Sequence, residues 1–108
     1  MSTRLPGKQY KTVFDRGRSF RGRLLVAWGL VGEEKSEPLG GVVVSKKSFH
    51  EAVQRSRAKR LMREAFRLLV KSGEITGNRR FIFIARASIG RAKCGEVMAE
   101  MKKLCAKF

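Results

Sequence analysis

Acidic residues are scarce in this chain. Its 108 residues include 9 Asp and Glu against 25 Lys and Arg, a formal net charge of +16. Histidine occurs once, as His50, and cysteine twice, as Cys94 and Cys105. These three side chains cannot complete a four-ligand structural zinc site. A disulfide is not expected in a reducing cytosol, so the cysteines read as half-buried thiols on one helix. The two prolines, Pro6 and Pro38, fall at natural breaks, and no Pro-, Gly- or Ser-rich linker divides the chain. A single domain over residues 1–108 is the expectation. No apolar run approaches the roughly 18–20 residues that cross a bilayer. The opening MSTRLPGKQYK lacks the apolar centre of a secretory signal, which predicts a cytoplasmic protein with no membrane partner.

What is abundant is positive charge. A charge of +16 on so small a body repels itself and calls for a polyanion. A membrane binder would pair such charge with an exposed apolar helix face. Here the apolar residues, 43% of the chain, fall into patterns that suit a core. Nucleic acid is therefore the leading partner class.

The patterns predict an α+β fold. Tyr10, Val13 and Phe14 mark a short helix over 7–16, with Gly17 as its left-handed cap. Residues 19–31 read as one strand or two, with Leu24, Val26 and Trp28 on one face and Leu25 and Ala27 on the other. The polar loop 32–38 holds three acids and is expected to turn away from the polyanion. The stretch 39–45, apolar on both faces, reads as a central strand. A long helix is predicted over 51–72, ended by Gly73. A buried strand follows over 79–86. A last helix over 92–107 carries Val97, Met101, Leu104 and Phe108 along one stripe. This order predicts a single-domain sandwich of sheet and helices.

The long helix carries the main functional signal. At 100° per residue, Ala58, Leu61, Met62, Ala65, Phe66, Leu68 and Leu69 occupy an arc of about 160°. Arg55, Arg57, Lys59, Arg60, Arg63, Arg67 and Lys71 fill most of the rest, with Ser56 near the middle and only Glu64 interrupting. Arg55, Lys59, Arg63 and Arg67 form an i, i+4 row. Like charges at that spacing destabilise an isolated helix by a few tenths of a kcal/mol per pair. A merely wet face recovers that loss by alternating sign, and this one does not. It reads as a rail for phosphates, suited to bidentate arginine contacts.

A second signal is aromatic. Tyr10, Phe14 and Phe20 are interleaved with Lys8, Lys11, Arg16, Arg18, Arg21 and Arg23. Rings among cations suit the stacking of unpaired bases. The alternating strand ending at Trp28 is placed to floor the same groove. Ser45-Lys46-Lys47 would join the two surfaces. No nucleophile–base pair, carboxylate pair, phosphate loop or metal cluster stands out, so no catalytic and no metal-binding residue is assigned.

The run Gly41-Val42-Val43-Val44-Ser45-Lys46-Lys47 and the segment from Ala52 to Arg67 resemble the signature of the bacterial ribonuclease P protein component. Arg4-Leu5, Tyr10, Val13-Phe14 and Gly17 resemble the family's N-terminus, and Ile84-Ala85-Arg86 the end of its last strand. The resemblance implies a ribosomal-protein-like fold with a left-handed β-α-β crossover. It implies a protein that binds a catalytic RNA and precursor tRNA, monomeric in a 1:1 ribonucleoprotein. Together they remove the 5′ leader by hydrolysis, with Mg²⁺ held mainly by the RNA. Carried over by position, Arg55, Ser56, Arg57, Lys59, Arg60, Arg63 and Arg67 would meet the catalytic RNA. Tyr10, Phe14, Val26, Trp28, Lys46 and Arg86 would line the leader cleft. Ser56 stands where the family usually has Asn, and residues 48–51 replace a smaller turn. The competing class is a ribosome-associated RNA-binding protein without a processing role.

Overall fold

A computed structural model describes residues 3–32 and 37–108. A 3-10 turn at Gly7–Gln9 leads into α1 (Tyr10–Arg16). Strands β1 (Arg18–Arg21), β2 (Leu25–Val31) and β3 (Leu39–Val43) follow, then α2 (Ala52–Lys71) and β4 (Arg79–Ala85). A second 3-10 turn, Ala87–Arg91, precedes α3 (Cys94–Cys105). The acids Glu33 and Glu34 of the 32–38 loop lie outside the described residues.

The sheet order is β1-β2-β4-β3, antiparallel except for the parallel β3–β4 pair that α2 connects. The mixed α+β sandwich expected from the sequence is therefore present. One expectation is corrected. β3 is not central but lies at an edge, and β2 and β4 are the strands paired on both sides. β3 is apolar on both faces because each is covered, and its outer edge is covered too. The N–H of Leu5 donates to the Gly40 carbonyl at 3.1 Å, and the N–H of Gly40 to the Thr3 carbonyl at 2.7 Å. This short N-terminal segment satisfies ladder groups that would otherwise be open to another chain.

Alternation along β4 distributes the core. Phe81 and Phe83 face α2 and α3, and Ile82 and Ile84 face α1. The Phe66 ring of α2 sits 5.4 Å from Phe83 and 6.1 Å from Phe81, and Phe108 meets Phe81 at 5.5 Å. Such pairs add about 0.5–1.5 kcal/mol each beyond area burial. The apolar arc of α2 is confirmed, with Ala58, Met62, Ala65, Phe66 and Leu69 buried. Leu24 departs from its expected face. It belongs to the turn before β2 and joins Leu25 in the helix-side core.

Adjacent glycines in β3 seat one ring on each face of the sheet. A Cβ on Gly40 would lie 2.8 Å from the Phe66 ring, and one on Gly41 would collide with the ring and hydroxyl of Tyr10. Gly17 is a further correction. It is extended (φ −82°, ψ 178°), not left-handed. Glycine is needed there because a Cβ would lie 2.5 Å from the Val13 carbonyl oxygen and 2.6 Å from that of Gly29. Gly73, at φ +82°, does end α2 in the left-handed region.

Candidate nucleic-acid interface

The sheet separates two surfaces. On one side α2 and α3 pack over the helix-side core. On the other, α1 covers only part of the sheet and leaves a half-buried aromatic cluster where the leader cleft is expected.

The outer face of α2 carries every cation the sequence assigned to it, but not in one state. Arg55 is half-buried, and its guanidinium donates to the carbonyls of Phe49 and His50, both at 2.9 Å. Arg57 donates to the Gly90 carbonyl at 2.9 Å, tying α2 to the turn before α3. Arg67 is bonded to Glu64 at 2.5 and 3.1 Å. That contact raises the Arg67 pKa and lowers that of Glu64, with hydrogen bonding as the main cause in each. Lys59, Arg60 and Arg63, in the middle of the face, hold no ion pair or hydrogen bond among the described residues, as is also true of Lys71 at its end. Beside them runs a groove of about 520 Å³, lined also by Ser56, Thr3 and Arg4. Thr3 and Arg4 enter the groove because their segment lies along the β3 edge, which helical periodicity could not reveal.

The cleft gathers Tyr10, Phe14, Trp28, Val43, Ile82 and Ile84 into one cluster. Phe14 and Trp28 meet edge to face at 5.2 Å. Val26 lies opposite Ile84 in the ladder, on the same face and half-buried. Tyr10, Phe14 and Trp28 are also only half-buried, so part of each ring remains open to a ligand. Lys46 lies in the exposed turn after β3, outside the cluster. Arg86 continues the Ile82–Ile84 alternation, and its guanidinium donates to the Gly22 carbonyl at 2.9 Å.

Phe20 does not join the other rings. It pairs in register with Ala27 on the helix side, where it meets Phe108 at 5.0 Å beneath Arg18 and Lys107. Its strand neighbours take the open face instead. Ser19 lies opposite Trp28 and Arg21 opposite Val26, both exposed. The sequence named Arg21 only as one cation among several, because strand register is invisible in it.

Cys94 is half-buried and Cys105 buried, both as free thiols. Burial pushes the Cys105 thiol up to about 12. Among the described residues, no group of three or more His, Cys, Asp or Glu could hold a metal ion, and no helix is long and apolar enough to cross a membrane.

A cationic helix on one side of a sheet and half-open rings on the other define a polyanion-binding protein of the α+β class. The family model for ribonuclease P matches residues 5–108. The ribonuclease P protein component of Clostridium kluyveri is 33% identical over 99 residues, covering 92% of this chain and 87% of the relative. That of Clostridium perfringens is 35% identical over 105 residues, covering 92% and 82%. The solved structure of the Thermotoga maritima RNase P protein superposes with a TM-score of 0.81 at 23% identity, covering 97% of this chain and 96% of that one. The Staphylococcus aureus protein gives 0.79 at 23%, covering 99% and 95%. This chain belongs to the ribonuclease P protein family.

Proposed function

We propose that the chain is the protein subunit of a ribonuclease P holoenzyme, binding the catalytic RNA through α2 and the 5′ leader of precursor tRNA in the aromatic cleft. The observation that carries this reading is the back-to-back placement of the two surfaces. One face offers Lys59, Arg60 and Arg63 without partners among the described residues, and the other offers Tyr10, Phe14 and Trp28 half-open. Cations without partners suit a structured phosphate backbone. Open rings suit unstacked bases, at about 1–3 kcal/mol per base. The leader is the single-stranded part of the substrate, so it is the part that such rings can engage.

Hydrolysis in this scheme belongs to the RNA, with Mg²⁺ held there. Among the described residues no group of three or more His, Cys, Asp or Glu could hold a metal ion, and no step is assigned to a metal on the protein. The protein contributes positioning. Arg55 and Arg57 serve twice, since their guanidiniums brace the 49–50 turn and the Gly90 carbonyl while their charge stays on the RNA-facing helix. Ser56 presents one hydroxyl to the groove, where an amide would offer separate donor and acceptor atoms.

The test mixes purified protein with the catalytic RNA and a precursor tRNA at near-physiological Mg²⁺. Leader removal should exceed that of RNA alone. No gain, or recovery of the protein with ribosomal subunits instead of the catalytic RNA, would overturn the proposal.

A further inference from the structure

Glu100 is a half-buried acid on α3 that forms no ion pair among the described residues. Its Oε1 accepts the backbone N–H of Arg23 at 2.8 Å. Its Oε2 accepts those of Leu24 at 2.8 Å and Leu25 at 2.9 Å. Three consecutive amides aimed at one carboxylate form an anion nest, and bonds to a charged acceptor are roughly twice as strong as neutral ones. These amides belong to the turn joining β1 to β2. Gly22 opens the turn, and a Cβ there would lie 2.6 Å from the Glu100 carboxylate carbon. Glycine at 22 is thus what lets the carboxylate reach the nest.

The same turn is fastened from a second direction. The Arg86 guanidinium donates to the Gly22 carbonyl at 2.9 Å, and the Arg86 N–H to the Leu24 carbonyl at 2.9 Å. The Ser88 hydroxyl donates to the Arg23 carbonyl at 2.5 Å. The head group of Arg86 therefore rests on a carbonyl whose own placement depends on a carboxylate from the helix layer behind the sheet.

We propose that Glu100 is a positioning residue for leader binding, holding the Gly22–Leu25 turn so that Arg86 stands at the open end of the aromatic cleft. The proposal rests on the reading of that cleft as the leader site. It separates Glu100 from a general brace, because among the described residues no cation on the outer face of α2 hydrogen-bonds to this turn, so that face should not respond to its loss.

The test uses reconstituted holoenzyme carrying wild-type protein, Glu100→Ala, Glu100→Gln, Arg86→Ala, Trp28→Ala or the Glu100→Ala/Arg86→Ala double variant. Affinities are measured for a precursor with a leader of several nucleotides and for one with a single-nucleotide leader. The affinity of each protein for the catalytic RNA is measured separately. Glu100→Ala should weaken the long-leader precursor by about two- to thirtyfold, the range for residues acting through another. The short-leader precursor and the catalytic RNA should bind as they do to wild type. Glu100→Gln, with one acceptor oxygen left, should fall between, and it decides the matter alone if circular dichroism shows Glu100→Ala unfolded. Added to Arg86→Ala, the Glu100 change should have less effect than in wild type, as coupled residues require. Equal loss for both precursors, or full additivity with Arg86→Ala, would overturn the proposal. If Arg86→Ala and Trp28→Ala leave long-leader affinity intact, the leader reading itself fails and the Glu100 proposal falls with it. If they weaken it while both Glu100 variants do not, only the Glu100 proposal fails.

Discussion

Replacing Lys59, Arg60 and Arg63 together by Gln should flatten the salt dependence of RNA binding by a calculable amount. Together with Lys71 at the helix end, these are the cations of the α2 face without partners among the described residues, so each is available to one phosphate. Every phosphate contact steepens the fall of log affinity against log salt by about 0.7–0.9. Three lost contacts reduce the slope by about 2.1–2.7. Between 50 and 200 mM salt, wild type should therefore lose about twenty- to fortyfold more affinity than the triple variant. Arg67→Gln should change the slope less than any one of the three, because Glu64 already offsets its charge. Filter binding of the catalytic RNA across a salt series measures both slopes. A triple variant with the wild-type slope would refute the assignment of this helix face to phosphates, whatever its affinity at one salt concentration.

Other outcomes follow from packing and titration. Gly41→Ala should cost about 1–3 kcal/mol in urea unfolding, the usual scale of overpacking, and Tyr10→Ala should relieve much of it because Tyr10 is what the new methyl meets. An unrelieved loss in the double variant would place the strain elsewhere. At pH 8 only about one Cys105 in ten thousand is a thiolate, given a pKa of about 12, so a thiol reagent should modify half-buried Cys94 first and Cys105 only on unfolding. Mass spectrometry of the labelled peptides distinguishes the two. The carboxyls of Glu64 and Glu74 lie below their ordinary value, through hydrogen bonds from Arg67 and from Lys102 with Ser72 respectively. The folded protein binds these protons less tightly than the unfolded chain, so the contacts stabilise above about pH 4.5 and the benefit fades as pH falls through the lowered folded values. The melting-temperature gap between wild type and Glu64→Gln/Glu74→Gln should thus be small near neutrality, because both sites are exposed, and should close in acid. A gap that widens on acidification would show the sign to be wrong.

The amphipathic α2 was legible in the sequence because helical periodicity is a local property. Its buried arc and its cationic complement both fall where 100° steps put them. The alternation of Phe81-Ile82-Phe83-Ile84 likewise marked β4 as covered on both faces. The rest depended on contacts between distant residues. Strand order made β3 an edge protected by Thr3–Leu5 rather than a central strand, and register sent Phe20 behind the sheet while bringing Ser19 and Arg21 into the cleft. Close approach, not a left-handed turn, accounts for Gly17. Arg57 and Arg67 look like Lys59 and Arg63 in a helical projection, while Arg55 falls within the apolar arc, and the fold gives all three carbonyl or carboxylate partners. Sequence alone determined that this chain would meet a polyanion and on which helix face, because charge and period are written residue by residue. Tertiary structure decided which cations remain available and which rings share a cleft, because those answers lie in pairings up to 77 positions apart.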